Sequence, residues 1–447
     1  MTLDHLAAIV GPAHLSTDPD VLAGRSVDWT GRYRGSASVL VRPGNADEVA
    51  AVLAACRESG AYVTVQGGRT SLVAGTVPEH DDVLLSTERL TEIGEVQTRE
   101  RQVRVGAGVT LADVQRTAAA ANLLFGVDLA ARESATVGGM AATNAGGLRT
   151  VRYGTMRDQV HGLEVALPDG SVVRRRPQVR LDNTGYDLAS LFVGAEGTLG
   201  VITALDLRLH PIPARRVTAV CGFADLDALV ATGRELRDID TVCALEVIDG
   251  RGARLAAEHL DQAAPVPGDW LLLVELAGDD DPTDRLASAL AQAPMCGPPA
   301  VGVDPISQHR LWQLRESMAE VMGVFGPPVK FDVSLPLSAI AGFAAAAASL
   351  IARYAPEATP VLFGHIGEGN LHLNVVRCGP DEEAALYEPM LGLIATHGGN
   401  VSSEHGVGSR KRAYLGMSRR PEDIALMRTI KAALDPTGYL NPAVLFD

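Results

Sequence analysis

At 447 residues the chain is long enough for two or more domains with ample cores, and its 47% apolar content is that of an ordinary globular protein. The formal net charge of −15 argues against broad nucleic-acid binding, although a local basic pocket can still invert the field for one small anion. The 5 cysteines are scattered with no CxxC, and the N-terminus has no basic region leading into an apolar run, so a reduced, cytosolic setting without a signal peptide is expected.

Residues 1–33 read as helical turns and loop. Ser38 to Arg42 is a strand, and Asn45 opens a helix that Gly60 closes. The strand Tyr62–Gln66 then runs into Gly67-Gly68-Arg69-Thr70-Ser71, where backbone N–H groups can approach a phosphate because no Cβ intervenes; a plain surface loop is the alternative. Val103 to Gly108 partly matches a dinucleotide fingerprint, but Leu111 stands at the third glycine, so it reads as strand and turn before the helix Leu111–Ala121. A stronger Gly-rich run spans Ser134 to Arg149, with Gly138, Gly139, Asn144, Gly146 and Gly147 among small and hydroxyl residues. Asp182–Leu188 and Gly194–Thr203 follow, the latter holding Gly197 and Ile202. Three such segments suit a backbone lying against a planar cofactor that carries a pyrophosphate.

Pro211-Ile212-Pro213 marks a boundary. Beyond it strands at 217–223, 241–248 and 270–276 alternate with helices at 225–237, 251–260 and 282–292, a βαβ-rich layer of sheet on helices. Arg315 and Lys330 are taken alone as solvated charges, yet only 3 of the 39 basic residues are lysine, which singles out Lys330. The longest apolar stretch, Ala339 to Ile351, is too short and Ala-rich for a membrane span, which leaves peripheral attachment at a membrane open.

Val361 to Val376, VLFGHIGEGNLHLNVV, reads as a β-hairpin turning at Glu368–Gly369. That register sets His365 opposite His372, with Cβ atoms about 4.5–5.5 Å apart and Asn374 on the same face. Two imidazoles so placed can close on one metal ion; two histidines in a satisfied polar patch are the alternative. In the following Ser402–Gly408, Glu404 would complete a His/His/Glu set with open positions, suited to zinc or a similar divalent ion, and His405 could act as general base.

The segments QGGRTSLVAGTVP, ATVGGMAATNAGGLRTVRYG, DNTGYDL and GAEGTLGVIT resemble the FAD-binding domain of vanillyl-alcohol-oxidase-type flavoenzymes. GHIGEGNLHLN, SSEHGVG and the terminal DPTGYLNP resemble the D-2-hydroxyacid dehydrogenase branch, which includes D-lactate and D-2-hydroxyglutarate dehydrogenases. The resemblance implies an α+β protein: a two-part FAD-binding domain over 1–213, a cap carrying the metal hairpin over 214–399, and a C-terminal segment, 400–447, returning to the first domain. It implies FAD held by the loops quoted above and by Asn441. No His or Cys occurs in 65–78 or 131–153, so the flavin is expected to be noncovalent. Arg69, Ser71 and Ala74 stand where the family usually shows Asn, Gly and Gly.

By the same resemblance, Arg315 and Lys330 hold substrate carboxylates, and a Lys before aromatic-Asp-x-Ser-Leu-Pro is particular to hydroxyglutarate-type members. The hydroxyl residue those members carry four places after the Arg is Ala319 here. The implied reaction is metal-assisted oxidation of a D-2-hydroxy acid to the 2-oxo acid, with a dicarboxylate preferred, hydride passing to flavin, His405 as base and Asn374 orienting substrate. A D-lactate dehydrogenase, or the flavoprotein subunit of a glycolate-type oxidase complex, is the alternative. The ether-lipid synthase class ranks low, since it shows a run of histidines where this chain has Ser403-Glu404-His405. A metal-binding module without activity lies outside these classes. Quinone, electron-transfer protein and 2-oxo acid all stand as acceptors, and a homodimer stays open.

Overall fold

The computed structural model describes residues 2–176, 179 and 182–446. The chain divides into two compact units: Met1–Gly146 with Gly154–Ile212 and Glu404–Asp447, and Gly147–Tyr153 with Pro213–Ser403.

The first unit holds β1 (Leu15–Ser16), β2 (Ala37–Val41), β3 (Val63–Gln66), β4 (Asp82–Ser86), β5 (Gln102–Gly106), β6 (Leu123–Leu124), β7 (Val160–Ala166), β8 (Val172–Arg175), β9 (Val201–Arg208) and β10 (His210–Pro211). One sheet has the order β1-β2-β4-β3, with β4 parallel to both β2 and β3. Parallel strands covered on both faces need continuous apolar runs, and all five residues of β4 are buried. The β2–β3 crossover is the helix Ala46–Ser59, started by the Asn45 side chain on the Glu48 amide and stopped by Gly60 at φ 68°. A second, antiparallel sheet runs β5-β9-β7-β8, and β6 pairs with β10. Both main sheets feed one core that includes Leu53, Leu85, Leu111, Leu163 and Leu205.

The second unit is built on one sheet of β11 (Arg215–Phe223), β12 (Val242–Asp249), β13 (Trp270–Gly278), β14 (Ala300–Gly302), β15 (Val329–Ser334), β16 (Thr359–His365) and β17 (Asn370–Val376), in the order β14-β11-β13-β12-β16-β17-β15. Every neighbouring pair is antiparallel. Since β11 and β12 both run against β13, they are parallel to each other with β13 inserted between. The helix Leu226–Arg237 joining them makes this a split βαβ unit rather than adjacent parallel strands. The helices Gly250–Leu260 and Pro305–Val324 cover one face, burying Leu311, Leu314 and Met318 against Val220, Ile248, Leu271, Leu273, Val361 and Phe363.

The apolar run around residue 345 extends further than its Ala-rich centre suggests: Leu337–Tyr354 reaches 18 residues with mean hydropathy 1.4. It folds as a short turn and the helix Ile340–Tyr354, whose buried residues Ile340, Phe343, Ala347 and Ile351 form one helical stripe.

Candidate active site

The hairpin β16–β17 turns through Ile366–Glu368, a single 3₁₀ turn, and Gly369 at φ 71°. A Cβ on Gly369 would lie 2.1 Å from the Leu335 carbonyl oxygen, so only glycine fits. This loop centres the turn one residue earlier than the symmetric reading. His365 pairs with Asn370, Phe363 with His372 and Val361 with Asn374. The two histidines are therefore diagonal neighbours rather than a direct pair. Because the register differs by two, they keep a common face, with ring centroids 5.3 Å apart at right angles.

Around them the sheet face is polar. β12 is buried at all 8 positions, Glu246 included, and Glu246 pairs directly with His365. The Glu246 carboxylate accepts from two sides, from Nδ1 of His365 at 2.6 Å and from Nε of Arg315 at 2.6 Å. Arg315, on the helix Pro305–Val324, is itself buried, and its guanidinium lies 4.8 Å over the Phe363 ring. Among the described residues its Nη groups take no partner, so the fork end of the guanidinium remains for a ligand.

On the other side of the hairpin, β15 sets Asp332 opposite His372, with His372 Nδ1 3.8 Å from the carboxylate, and Lys330 opposite Asn374. Asp332 is buried and accepts from Asn370 Nδ2 and from the Ser403 amide, each at 2.9 Å. The peptide that continues into Glu404 and His405 is thus anchored at the strand carrying Asp332. Among the described residues Asn370 Oδ1 has no partner, although Asn370 is only 3% exposed. Asn374 is buried, whereas Lys330 is exposed on its edge strand. Two imidazoles, one backed by a buried carboxylate through Nδ1, are a donor set that fits a divalent ion.

Further along the same face lies a third buried carboxylate. Glu275 meets Arg149 at 2.9 Å, Arg216 at 3.0 Å, Trp312 Nε1 at 2.9 Å and Cys243 Sγ at 3.0 Å. Burial opposes its charge, but the two guanidiniums overcome that, and its carboxyl titrates below the usual range. Burial and the Glu275 charge push the Cys243 thiol well up. Asp332 stands inside the aromatic-Asp-x-Ser-Leu-Pro run, where it had no role of its own, and Glu246 and Glu275 had no part in the sequence motifs. The one signal of the two glutamates is a lone carboxylate inside an otherwise apolar strand.

In the first unit the Gly-rich segments press on one another. A Cβ on Gly67 would lie 2.5 Å from Thr136 Oγ1, one on Gly68 2.0 Å from the Ser134 carbonyl oxygen, and one on Gly138 2.5 Å from the Ala107 Cβ. Gly138 and Gly139 open the helix Val137–Ala142, and Gly146 ends the unit's first segment. Arg69 is left-handed at φ 54°, with its Nη1 donating to the Gly24 carbonyl at 2.9 Å. Among the described residues the amides of Arg69, Thr70, Ser71 and Leu72 donate no hydrogen bond within the chain. A run of free N–H groups after a strand, with one left-handed residue, is a cradle for an anionic group, and it fits the pyrophosphate of FAD.

Asn144, at φ 51°, accepts from the Arg157 amide, and Gly147, at φ 123°, belongs to the second unit. Gly197 could carry no side chain, since its Cβ would lie 2.5 Å from Asn441 Nδ2. Asn441 is a structural clamp: Oδ1 accepts from the Val65 amide at 2.8 Å and Nδ2 donates to the Glu196 carbonyl at 2.9 Å. Ile202 is buried in β9 opposite Val165. The Glu196 carboxylate accepts from the Val407 and Gly408 amides at 2.8 Å each, which sets the loop just after His405. Burial raises its pKa against the pull of those two bonds.

Residues 212–445 match the family model described as FAD linked oxidases, C-terminal domain, and residues 37–176 match an FAD binding domain. The chain is 38% identical to the mitochondrial D-2-hydroxyglutarate dehydrogenase of Bos taurus over 98% of its own length and 82% of that protein. It is 32% identical to a D-2-hydroxyglutarate–pyruvate transhydrogenase of Saccharomyces cerevisiae, covering 96% and 90%. Among solved structures, p-cresol methylhydroxylase with substrate bound aligns over 99% of this chain and 96% of its own, with a TM-score of 0.82 at 18% identity, a likeness of fold alone. The fold is that of the vanillyl-alcohol-oxidase-type flavoproteins, and the chain belongs to the FAD-linked oxidase family of oxidoreductases.

Proposed function

We propose that the chain is an FAD-dependent dehydrogenase of D-2-hydroxy acids, with a dicarboxylate such as D-2-hydroxyglutarate as substrate. The observation that carries this reading is Arg315. It is a buried guanidinium held by Glu246 beside His365, with its fork end free, on a sheet face that also bears His372, Asn370 and Asn374. A planar fork pairs bidentately with a carboxylate, and Lys330 on the exposed edge adds a second, weaker attraction.

FAD, noncovalently bound, supplies the hydride acceptor. His365, His372 and Glu404 are the residues that would hold zinc or a similar divalent ion, whose chemistry there is to acidify the substrate hydroxyl. His405 takes the hydroxyl proton as general base. Asn374 orients the substrate, and Arg315 grips the distal carboxylate.

The test is a screen of D-hydroxy acids, with a dye, a quinone, an electron-transfer protein and a 2-oxo acid as acceptors. Loss of one partner from a desolvated charge pair costs about 3–5 kcal/mol, so Arg315→Ala is expected to lower kcat/KM for the dicarboxylate by roughly 10²–10³-fold. Lys330→Ala, at an exposed site worth about 0–1 kcal/mol, should cost the dicarboxylate up to about fivefold and leave D-lactate unaffected. His372→Ala and Glu404→Gln should lose metal and activity while keeping FAD. His405→Ala should keep both and slow flavin reduction by roughly 10²–10⁴-fold. A wild-type preference for D-lactate, with variants at 315 and 330 treating all substrates alike, would overturn the dicarboxylate reading.

A further inference from the structure

We propose that Glu246 is a positioning residue that ties the metal ligand His365 to the carboxylate receptor Arg315, setting the tautomer of one and the plane of the other. The inference rests on the metal reading given above and names a residue outside its ligand set. Glu246 is 0% exposed, and strand pairing puts it directly beside His365, so its position is dictated by backbone register. Its Oε1 lies 2.6 Å from His365 Nδ1 and its Oε2 2.6 Å from Arg315 Nε. A carboxylate only accepts, so both partners must donate. His365 therefore carries a proton on Nδ1, which makes Nε2 the nitrogen that would ligate a metal ion. The guanidinium is held by its Nε edge and stacked over Phe363 at 4.8 Å, which turns the Nη pair outward.

A purely structural role, a buried ion pair fastening the helix Pro305–Val324 to the sheet, uses the same two contacts. Glu246→Gln separates the two roles. An amide of the same size accepts through one atom and donates through the other. With its oxygen toward Arg315, its NH₂ faces His365 Nδ1, which must surrender its proton; Nε2 then becomes N–H and cannot ligate. With its oxygen toward His365, its NH₂ meets the Nε–H of Arg315, and the guanidinium is displaced. A structural contact alone would lower stability and leave metal affinity where it was.

The experiment titrates full-length, FAD-loaded, metal-stripped protein with Zn²⁺ against a chelating indicator. The wild type should bind one equivalent, and Glu246→Gln should bind roughly 10–100-fold more weakly, with flavin content and circular dichroism unchanged. Equal Zn²⁺ affinity in the two proteins overturns the role of Glu246 while leaving the metal reading intact. A wild type that binds no Zn²⁺ brings down both. A measurement that needs no variant is ¹⁵N spectroscopy of histidine-labelled wild-type protein. His365 is expected as the Nδ1–H tautomer, and an Nε2–H ring there overturns the proposal even if Glu246→Gln fails to fold.

Discussion

Glu275 is the residue whose charge has the clearest consequence for stability. Its folded pKa lies below its ordinary value of 4.5, because Arg149 and Arg216 outweigh burial. A depressed carboxyl stabilises the fold fully above the unfolded pKa and loses that contribution as pH falls through the folded value. The window therefore opens at about 4.5 and runs downward. Unfolding followed by urea from pH 7 to pH 3 should show this acid-side loss in the wild type and a flatter profile in Glu275→Gln. At pH 7, Glu275→Ala leaves two guanidiniums facing a buried gap and should cost about 3–5 kcal/mol. Acid profiles that coincide in wild type and Glu275→Gln would show that the two arginines do not set this carboxyl. Cys243, whose thiol is pushed up by burial beside Glu275, should resist alkylating reagents in the native state, since the thiolate is the nucleophile.

At the scale of elements, local signals carried furthest. The helix Ala46–Ser59 was legible from its ends because Asn45 and Gly60 act within a few residues of themselves. The order of strands and helices after Pro213 was legible from period alone. The insertion of β13 between β11 and β12 was not, because strand pairing leaves no mark in the periodicity of either strand. The β16–β17 hairpin was legible as a hairpin, but its register turned on Gly369 taking the left-handed conformation beneath Leu335, a contact 34 residues away in the chain. Glu246 was passed over because its partners lie 69 and 119 residues off. Asn441 is the element-scale residue to test. It bonds the end of β3, just before Gly67, to the Glu196 carbonyl. Removing a buried group that satisfies two backbone atoms costs about 1–3 kcal/mol for each one stranded. Asn441→Ala is expected to lower the melting temperature and weaken FAD retention on gel filtration, with Zn²⁺ affinity unchanged. Full flavin occupancy and an unaltered melting temperature would show the clamp to be idle.

For the whole molecule, the cradle of free amides proposed for the flavin belongs to the first unit, as does Glu404, and the two histidines with their buried carboxylates belong to the second. Since none of the proposed metal ligands lies in the flavin loops, chelation is expected to strip metal while the protein stays yellow. Acid or heat should release intact FAD, because the loops at 65–78 and 131–153 offer no His or Cys for a covalent link. Flavin that stays with the denatured chain would contradict the noncovalent reading. The division also has a consequence for the order in which the protein is made. β3 is an edge strand of its sheet, and the segment that covers it is Tyr439–Asn441, whose backbone bonds Val63 and whose Asn441 side chain accepts from the Val65 amide. At roughly 5–20 residues per second, the ribosome needs on the order of 10–50 s to travel from Ile212 to Asn441. During that interval the second unit emerges whole and can fold, while the nascent first unit waits with an open strand edge beside its flavin loop. The strand edge beside Gly67 thus stays open until Asn441 has emerged, and a ribosome that stalls before that point leaves a finished second unit attached to an unfinished first one, a ready substrate for chaperones and proteases.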